Sequence, residues 1–334
     1  MLSIFLGEKK NRIASVYTEE QTELLQKEAN LKTDIVISSD NIESHRELAA
    51  KADYAFSTWG IPGFTREQVA GYFPNLKGVF YAAGSVAHFA RAYLDNNIKV
   101  YSAWAANAVP VAEYAAAQII LANKCYYSAC FEASRGRYEK AYEYKRMAPG
   151  NYGVNVGILG AGMIGRRVIR ILSRCKMNII VFDPFLPDDV AAELGVEKAG
   201  LDEVFARCGV VSNHLANKPE TVGIIGYKQF SLMPKPATFI NTGRGAQVAE
   251  HDLIRYLTEN PECCAVLDVT YPEPPEPESR LYKLNNVFIT PHIAGSLGNE
   301  TYRMAEYMVE EFRSVISGKP VRYEVAPEML KTMA

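Results

Sequence analysis

The chain has 334 residues, 48% hydrophobic and 22% charged, with 36 Lys and Arg set against 38 Asp and Glu for a net charge of -2. That length favours two domains over one, each with ample apolar residues for a core. A charge this close to balance removes the electrostatic case for nucleic acid or an anionic membrane as partner.

No charged segment followed by an apolar run opens the sequence, so no secretory signal is expected. The first hundred residues alternate short apolar runs, expected as strands at Asp34–Ser38, Tyr54–Thr58, Gly78–Ala82 and Lys99–Tyr101, with helical patterns at Asn41–Lys51, Arg66–Tyr72 and Val86–Leu94. Strands alternating with helices predict a parallel sheet covered on both faces, with ligands beyond the carboxyl ends of its strands. The turn Ala83-Gly84-Ser85 follows one such strand, and its small residues leave amides open to a carboxylate. Ala105–Asn123 reads as a buried, alanine-rich helix; with Glu113 and Gln118 inside it, it is expected to be too short and polar to span a bilayer. Lys124–Gly150 carries Tyr126, Tyr127, Phe131, Tyr138, Tyr142 and Tyr144 among basic residues, a pattern that fits either a protein interface or a loop packed on its own subunit. The six cysteines, Cys125, Cys130, Cys175, Cys208, Cys263 and Cys264, form no C-x-x-C pair or metal-type cluster and read as buried free thiols of a cytoplasmic protein.

Val156–Arg167, VGILGAGMIGRR, runs from a buried strand through a glycine-rich turn into a helix. Gly160, Gly162 and Gly165 have the G-x-G-x-x-G spacing: one glycine for the tight turn, one for close approach of a pyrophosphate, one for packing helix on strand. The amides of the first helical turn would face the phosphates. The next apolar run, NIIVF, ends at Asp183, eighteen residues past Gly165, where an acid suits a ribose 2′-hydroxyl and repels a 2′-phosphate. A dinucleotide site preferring NAD is therefore expected. Further strands are expected at Gly209–Ser212, Ala237–Asn241, Ala265–Val269 and Val287–Thr290, and helices at Ala191–Leu194, Leu201–Arg207, Lys228–Leu232 and His251–Glu259. The proline-rich run Tyr271–Pro277 must be a loop. Thr301–Ser317 is amphipathic and long enough to cross back to the first domain.

Three polar residues follow apolar runs in this second half. Arg244 stands between Gly243 and Gly245, Glu273 lies in the proline-rich loop, and His292 follows VFITP. Brought together, an arginine could bind a carboxylate and polarise a carbonyl, and a histidine oriented by a glutamate could exchange a hydroxyl proton.

The ordered motifs SNHL with KPET (Ser212–Thr221), INTGRG (Ile240–Gly245), LDV with PEP (Leu267–Pro274) and TPHIAGS (Thr290–Ser296), after the glycine-rich turn, resemble the D-isomer-specific 2-hydroxyacid dehydrogenase family, which includes phosphoglycerate dehydrogenase and glyoxylate/hydroxypyruvate reductase. The likeness runs from about Tyr54 to Val325. It implies two Rossmann-like, doubly wound α/β domains of parallel sheet, with an NAD-binding domain (105–296) inserted into a discontinuous substrate domain (1–104 and 297–334). Ala105–Asn123 and Thr301–Ser317 would be the crossover helices. It further implies an Arg244–Glu273–His292 triad, and a cofactor site at Gly160, Gly162, Met163, Ile164, Gly165, Asp183, His214, Ala216, Thr242, Gly243 and the nicotinamide-side Asp268. A 2-oxo acid would bind in a cleft at Ala83, Gly84, Ser85 and Arg244, and homodimers would form through the nucleotide domain. The expected activity is NAD-dependent interconversion of a 2-oxo acid and a D-2-hydroxy acid. Formate dehydrogenases of the same fold carry glutamine where this chain has Glu273, and an NAD-sensing corepressor is the alternative outside the enzymes. Three departures stand out: the carboxylate turn lacks the family's aspartate, Met163 replaces an arginine after the second glycine, and Ala216 replaces a proline.

Overall fold

The structure, a computed structural model, describes residues 1–331; residues 332–334, the end of the segment assigned by sequence to the substrate domain, lie outside the described residues. The chain divides into two compact units, one of residues 1–108 plus the segment from Ser296, the other of Val109–Gly295.

The first unit holds a five-stranded parallel sheet: β1 (Ser3–Leu6), β2 (Leu31–Ile37), β3 (Tyr54–Ser57), β4 (Gly78–Tyr81) and β5 (Lys99–Ser102), in the order β2-β1-β3-β4-β5. Its helices are α1 (Lys10–Ala14), α2 (Glu19–Ala29), α3 (Arg46–Lys51), α4 (Arg66–Tyr72) and α5 (Ala90–Leu94). The four residues of β1 and helices α1 and α2 were not expected from sequence. β1 is too short to show a period; it lies between β2 and β3, and all four of its residues are buried. The start of α2 is set by a capping box, with Thr18 Oγ1 accepting from the Gln21 amide and Gln21 Oε1 accepting from the Thr18 amide. The helix expected over Val86–Leu94 is shortened to α5. Residues 86–89 form a turn in which Val86 and Phe89 are buried, and Phe89 leaves helical backbone at φ -133°.

α6 (Trp104–Ala122) is apolar nearly all round and carries the chain from the first unit into the second. The unit boundary falls beside Pro110, which lacks the amide a helix interior needs. By length and composition alone this helix could cross a membrane, which corrects the expectation that it is too short and polar; more than half of it is buried inside the protein.

The second unit adds α7 (Tyr126–Ala133), α8 (Tyr138–Met147), β6 (Asn155–Leu159), α9 (Met163–Leu172), β7 (Asn178–Phe182), α10 (Asp188–Leu194), β8 (Glu197–Lys198), α11 (Leu201–Arg207), β9 (Val210–Asn213), α12 (Tyr227–Leu232), β10 (Thr238–Asn241), α13 (Glu250–Glu259), β11 (Cys264–Leu267) and β12 (Val287–Ile289). Its seven parallel strands lie in the order β12-β11-β10-β9-β6-β7-β8, so the winding reverses between β6 and β9. A crevice outside the strand ends at such a reversal is where doubly wound sheets bind ligands. α14 (Glu300–Ile316) belongs wholly to the first unit, where Met304, Met308 and Phe312 pack with Phe56 and Phe80. The chain therefore returns at residues 295–296, before this helix, which does not serve as the second crossover. The aromatic stretch after α6 is two helices rather than a loop. Tyr144 and Ser128 are buried, while Tyr126, Tyr138 and Tyr142 stay exposed along a groove of about 600 Å³ between α7 and α8.

Candidate active site

At the end of β6 the chain turns through Gly160 at φ +89°, a left-handed conformation that favours glycine. A Cβ there would lie 2.7 Å from the His214 carbonyl oxygen, so the turns after β6 and β9 touch at the reversal point, joined also by the His214 amide donating to Leu159 O at 2.7 Å. A Cβ on Gly165 would lie 2.0 Å from Gly160 O, so α9 packs directly on the turn. Gly162 is different: a Cβ would meet nothing within 4 Å, and the residue is exposed at the N-cap of α9. Its backbone is open to a ligand, and the first-turn amides of Met163 and Ile164 lack intrahelical acceptors. These features fit the pyrophosphate of a dinucleotide. Asp183 closes the turn from β7, with Oδ2 accepting from the Ala161 amide at 2.7 Å and Oδ1 from the Phe185 amide at 2.9 Å. Any ribose contact it makes would share oxygens already held by backbone.

His214 is buried. Its ring lies 3.0 Å from Ser212 Oγ through Nε2 and 3.2 Å from Thr242 Oγ1 through Nδ1, and burial pulls its pKa down to about 4. It is a neutral hydrogen-bonding group that ties the β9 turn to the β10 turn.

Arg244, Glu273 and His292 follow β10, β11 and β12, three neighbouring strands, and the structure brings them together. Glu273 Oε1 lies 2.7 Å from His292 Nδ1, with the two side chains 42% and 49% exposed, open to a substrate. Arg244 is half-buried; burial lowers its pKa from the ordinary value while the charge of Glu273 acts to raise it. One of its terminal nitrogens donates to Gly243 O at 2.8 Å. The reason for Gly245 is now visible: a Cβ would lie 2.0 Å from Thr270 C and 2.1 Å from Thr270 O. The arginine turn thus lies against the backbone leading to Glu273.

Residues 125–294, 170 of the 334, match the profile of the D-isomer specific 2-hydroxyacid dehydrogenase, NAD binding domain. The chain belongs to this family.

NAD is the cofactor its second unit is built for. Among relatives, a D-3-phosphoglycerate dehydrogenase of Archaeoglobus fulgidus is 31% identical over 231 residues, 69% of this chain and 43% of that one. A glyoxylate reductase of Korarchaeum cryptofilum is 35% identical over 179 residues, 54% of this chain and 52% of that one. The match thus spans about two fifths to one half of the length of these relatives. A phosphoglycerate oxidoreductase from Rhizobium etli has the same fold, with a TM-score of 0.77 and 21% identity over 98% of this chain and 99% of that one.

In this family member the sequence left several supporting residues unnoticed. Gln247 is fully buried and uses both ends of its amide. Oε1 accepts from the Arg244 amide at 3.2 Å and from Asn213 Nδ2 at 2.7 Å, while Nε2 donates to Leu215 O and Ala216 O, both at 2.9 Å. Asn241 Oδ1 completes the network by accepting from Gly243 N and Asn213 Nδ2, each at 3.0 Å. The arginine turn (Thr242, Gly243) and the Ala216 segment are thereby held by one satisfied amide cluster, which rigidifies both. The available signal was a glutamine three residues after Arg244 in an otherwise apolar setting. Asp268 is held from several sides. Its buried carboxylate accepts from the Ile293 and Ala294 amides at 2.8 and 2.9 Å and from Thr290 Oγ1 at 2.7 Å, bracing the loop that carries His292. Met163, at the position of the missing arginine, is 45% exposed. Ala83, Gly84 and Ser85 belong to the first unit, where the Ser102 hydroxyl lies 2.8 Å from both Ala83 O and Gly84 O and Asn107 packs beside Gly84.

Proposed function

We propose that this protein is an NAD-dependent oxidoreductase that interconverts a 2-oxo acid and a D-2-hydroxy acid. The 2.7 Å pairing of His292 with Glu273 beside Arg244, on strand ends adjoining a dinucleotide-type turn, carries this reading. A carboxylate only accepts hydrogen bonds, so neutral His292 holds its proton on Nδ1 toward Glu273 and presents Nε2 as a base. Once protonated, Nε2 is the donor that delivers a proton to the carbonyl oxygen on reduction. Arg244 anchors the substrate carboxylate in a two-pronged pair and draws electron density from the neighbouring carbonyl. Gly162, Met163 and Ile164 hold NAD through backbone approach, Gly160 and Gly165 shape the turn that presents them, and Thr242, Gly243, His214 and Ala216 border the site, with Asp183 excluding a 2′-phosphate. Bound NAD supplies or takes up the hydride. Gly84 and Ser85 are assigned to carboxylate binding through their amides, with Ala83, whose own amide donates to Tyr81 O at 2.8 Å, setting the turn that presents them. The exposed tyrosines of α7 and α8 form the face on which a second copy docks, making a cytoplasmic homodimer.

NADH oxidation against glyoxylate, hydroxypyruvate, pyruvate, bulkier 2-oxo acids and phosphohydroxypyruvate tests the activity. At least one is turned over, and His292→Ala loses about a hundredfold or more in kcat. Tight NADH binding with silence across the panel, or full turnover by His292→Ala, overturns the reading. Light scattering on Tyr138→Glu/Tyr142→Glu tests the interface, which is refuted if the variant keeps the mass of the parent dimer or if the parent is a monomer.

A further inference from the structure

His292 has left-handed backbone, φ +55°, a conformation uncommon for a non-glycine residue that its surroundings must hold. Those surroundings can be traced. The His292 amide donates to Asp268 O at 3.1 Å and to Thr290 O at 3.0 Å. The next two amides, of Ile293 and Ala294, donate to the two oxygens of the Asp268 carboxylate. The same carboxylate takes the Thr290 hydroxyl at 2.7 Å, and the Thr290 oxygen lies 3.1 Å from the phenol oxygen of Tyr114.

Chemistry gives this chain a direction. An ionised carboxylate has no proton to donate, so the single hydroxyl proton of Thr290 goes to Asp268. The Thr290 oxygen is then the acceptor, and Tyr114 is the donor. A buried carboxylate so receives one side-chain donor, itself polarised by a second, together with two loop amides; each link strengthens the next in a low-dielectric setting. Tyr114 lies on α6, one turn beyond Pro110, so the far end of the chain is anchored in a long buried helix rather than in a loop.

We propose that Tyr114 is a positioning residue for His292, acting through Thr290 and Asp268 to hold the left-handed backbone from which the imidazole is presented. This rests on the acid/base reading of His292. The relay sets where the ring sits; neither Tyr114 nor Thr290 is assigned to NAD, and without them Asp268 keeps its charge and its two loop amides, so loss of the relay lowers kcat and leaves the affinity for NADH intact.

Tyr114→Phe keeps the ring and deletes the donor. With the best 2-oxo acid, kcat falls about five- to tenfold, the effect of one lost hydrogen bond. The Kd for NADH, read by fluorescence, stays within about twofold, since the altered contact lies outside the phosphate turn. The His292 ring resonance, assigned by its absence from His292→Ala, moves in Tyr114→Phe. Thr290→Val gives the same loss, Thr290→Ser restores most of it, and Tyr114→Phe/Thr290→Val is no worse than the poorer single variant because both break one chain. The threonine pair carries the test alone should Tyr114→Phe fail to fold. Unchanged kcat and an unmoved resonance, where His292→Ala abolishes turnover, overturn the relay and leave the acid/base reading standing. A loss expressed only as weaker NADH binding or a lower Tm also overturns it. Full turnover by His292→Ala removes both.

Discussion

Two glycines three residues apart in the nucleotide turn should fail in opposite ways when replaced by alanine. At Gly165 the new methyl group would lie 2.0 Å from Gly160 O and 3.0 Å from Gly160 C, both backbone. Relieving that contact requires α9 and the turn to separate by about 1 Å, which costs about 1–3 kcal/mol as over-packing. Alanine's better helix propensity recovers at most about 1 kcal/mol of this. At about 2–4 °C per kcal/mol for a domain of this size, Gly165→Ala melts several degrees lower. At Gly162 a methyl meets no atom within 4 Å, and φ -72° suits alanine. The lost N-cap preference and the reduced freedom of the unfolded chain offset each other to within about 1 kcal/mol, so Tm barely moves. The methyl instead projects from the exposed backbone where a pyrophosphate would approach. Losing one charge-assisted hydrogen bond there weakens NADH binding by about tenfold to a hundredfold. Thermal melts and NADH fluorescence titrations on the two variants read both quantities. The reasoning is refuted if Gly162→Ala binds NADH like the parent, or if Gly165→Ala melts at the parent temperature.

Other substitutions probe the site's framework. His214 has a folded pKa of about 4 against an ordinary 6.5, so below pH 6.5 the unfolded chain takes up a proton that the folded one refuses. Stability is complete above pH 6.5 and is lost as pH falls toward 4, by about 2 kcal/mol at pH 5. Denaturation at pH 7.5 and 5 should therefore show a steeper acid loss for the parent than for His214→Gln; equal losses contradict the assignment. Gly245→Ala drives a methyl into the Thr270–Tyr271 backbone and displaces Arg244 from Glu273, so turnover should drop by about a hundredfold. Parent-like kinetics would show that the two loops need no fixed spacing. Glu273→Gln keeps a partner of similar shape for His292 Nδ1 but no charge. Its kcat should fall by about ten- to a hundredfold with little change in NADH affinity, and an unaffected kcat would deny the glutamate any part in the reaction.

Much was legible because it is local. Glycine spacing, an acid at the end of the following strand and apolar runs of four or five residues state backbone conformation and burial directly, and they located β6, β7 and β9 to β12 within a residue or two, and the turn that opens α9. Misses arose where the signal was short or overridden. Ser3–Leu6 is four residues long and shows no period, and the Val86–Leu94 pattern yielded to burial of Val86 and Phe89 in a turn. The aromatic content of 124–150 was plain, but periodicity did not separate Tyr144, turned inward, from Tyr138 and Tyr142, turned outward on the same helix.

The residue types at the candidate site were determined by the sequence alone: an arginine between glycines, a glutamate among prolines, a histidine after a strand, each too common singly to mean much. Tertiary structure decided that they meet. Sheet order places β10, β11 and β12 side by side, so turns 19 to 48 residues apart in the chain share one edge. It also decided the hydrogen bonding of Asp183 and Asp268, whose carboxylates reach backbone amides 22 to 26 residues away. Spacing along a chain encodes which face a side chain takes; which distant loop it then meets follows from strand order, which no local pattern records.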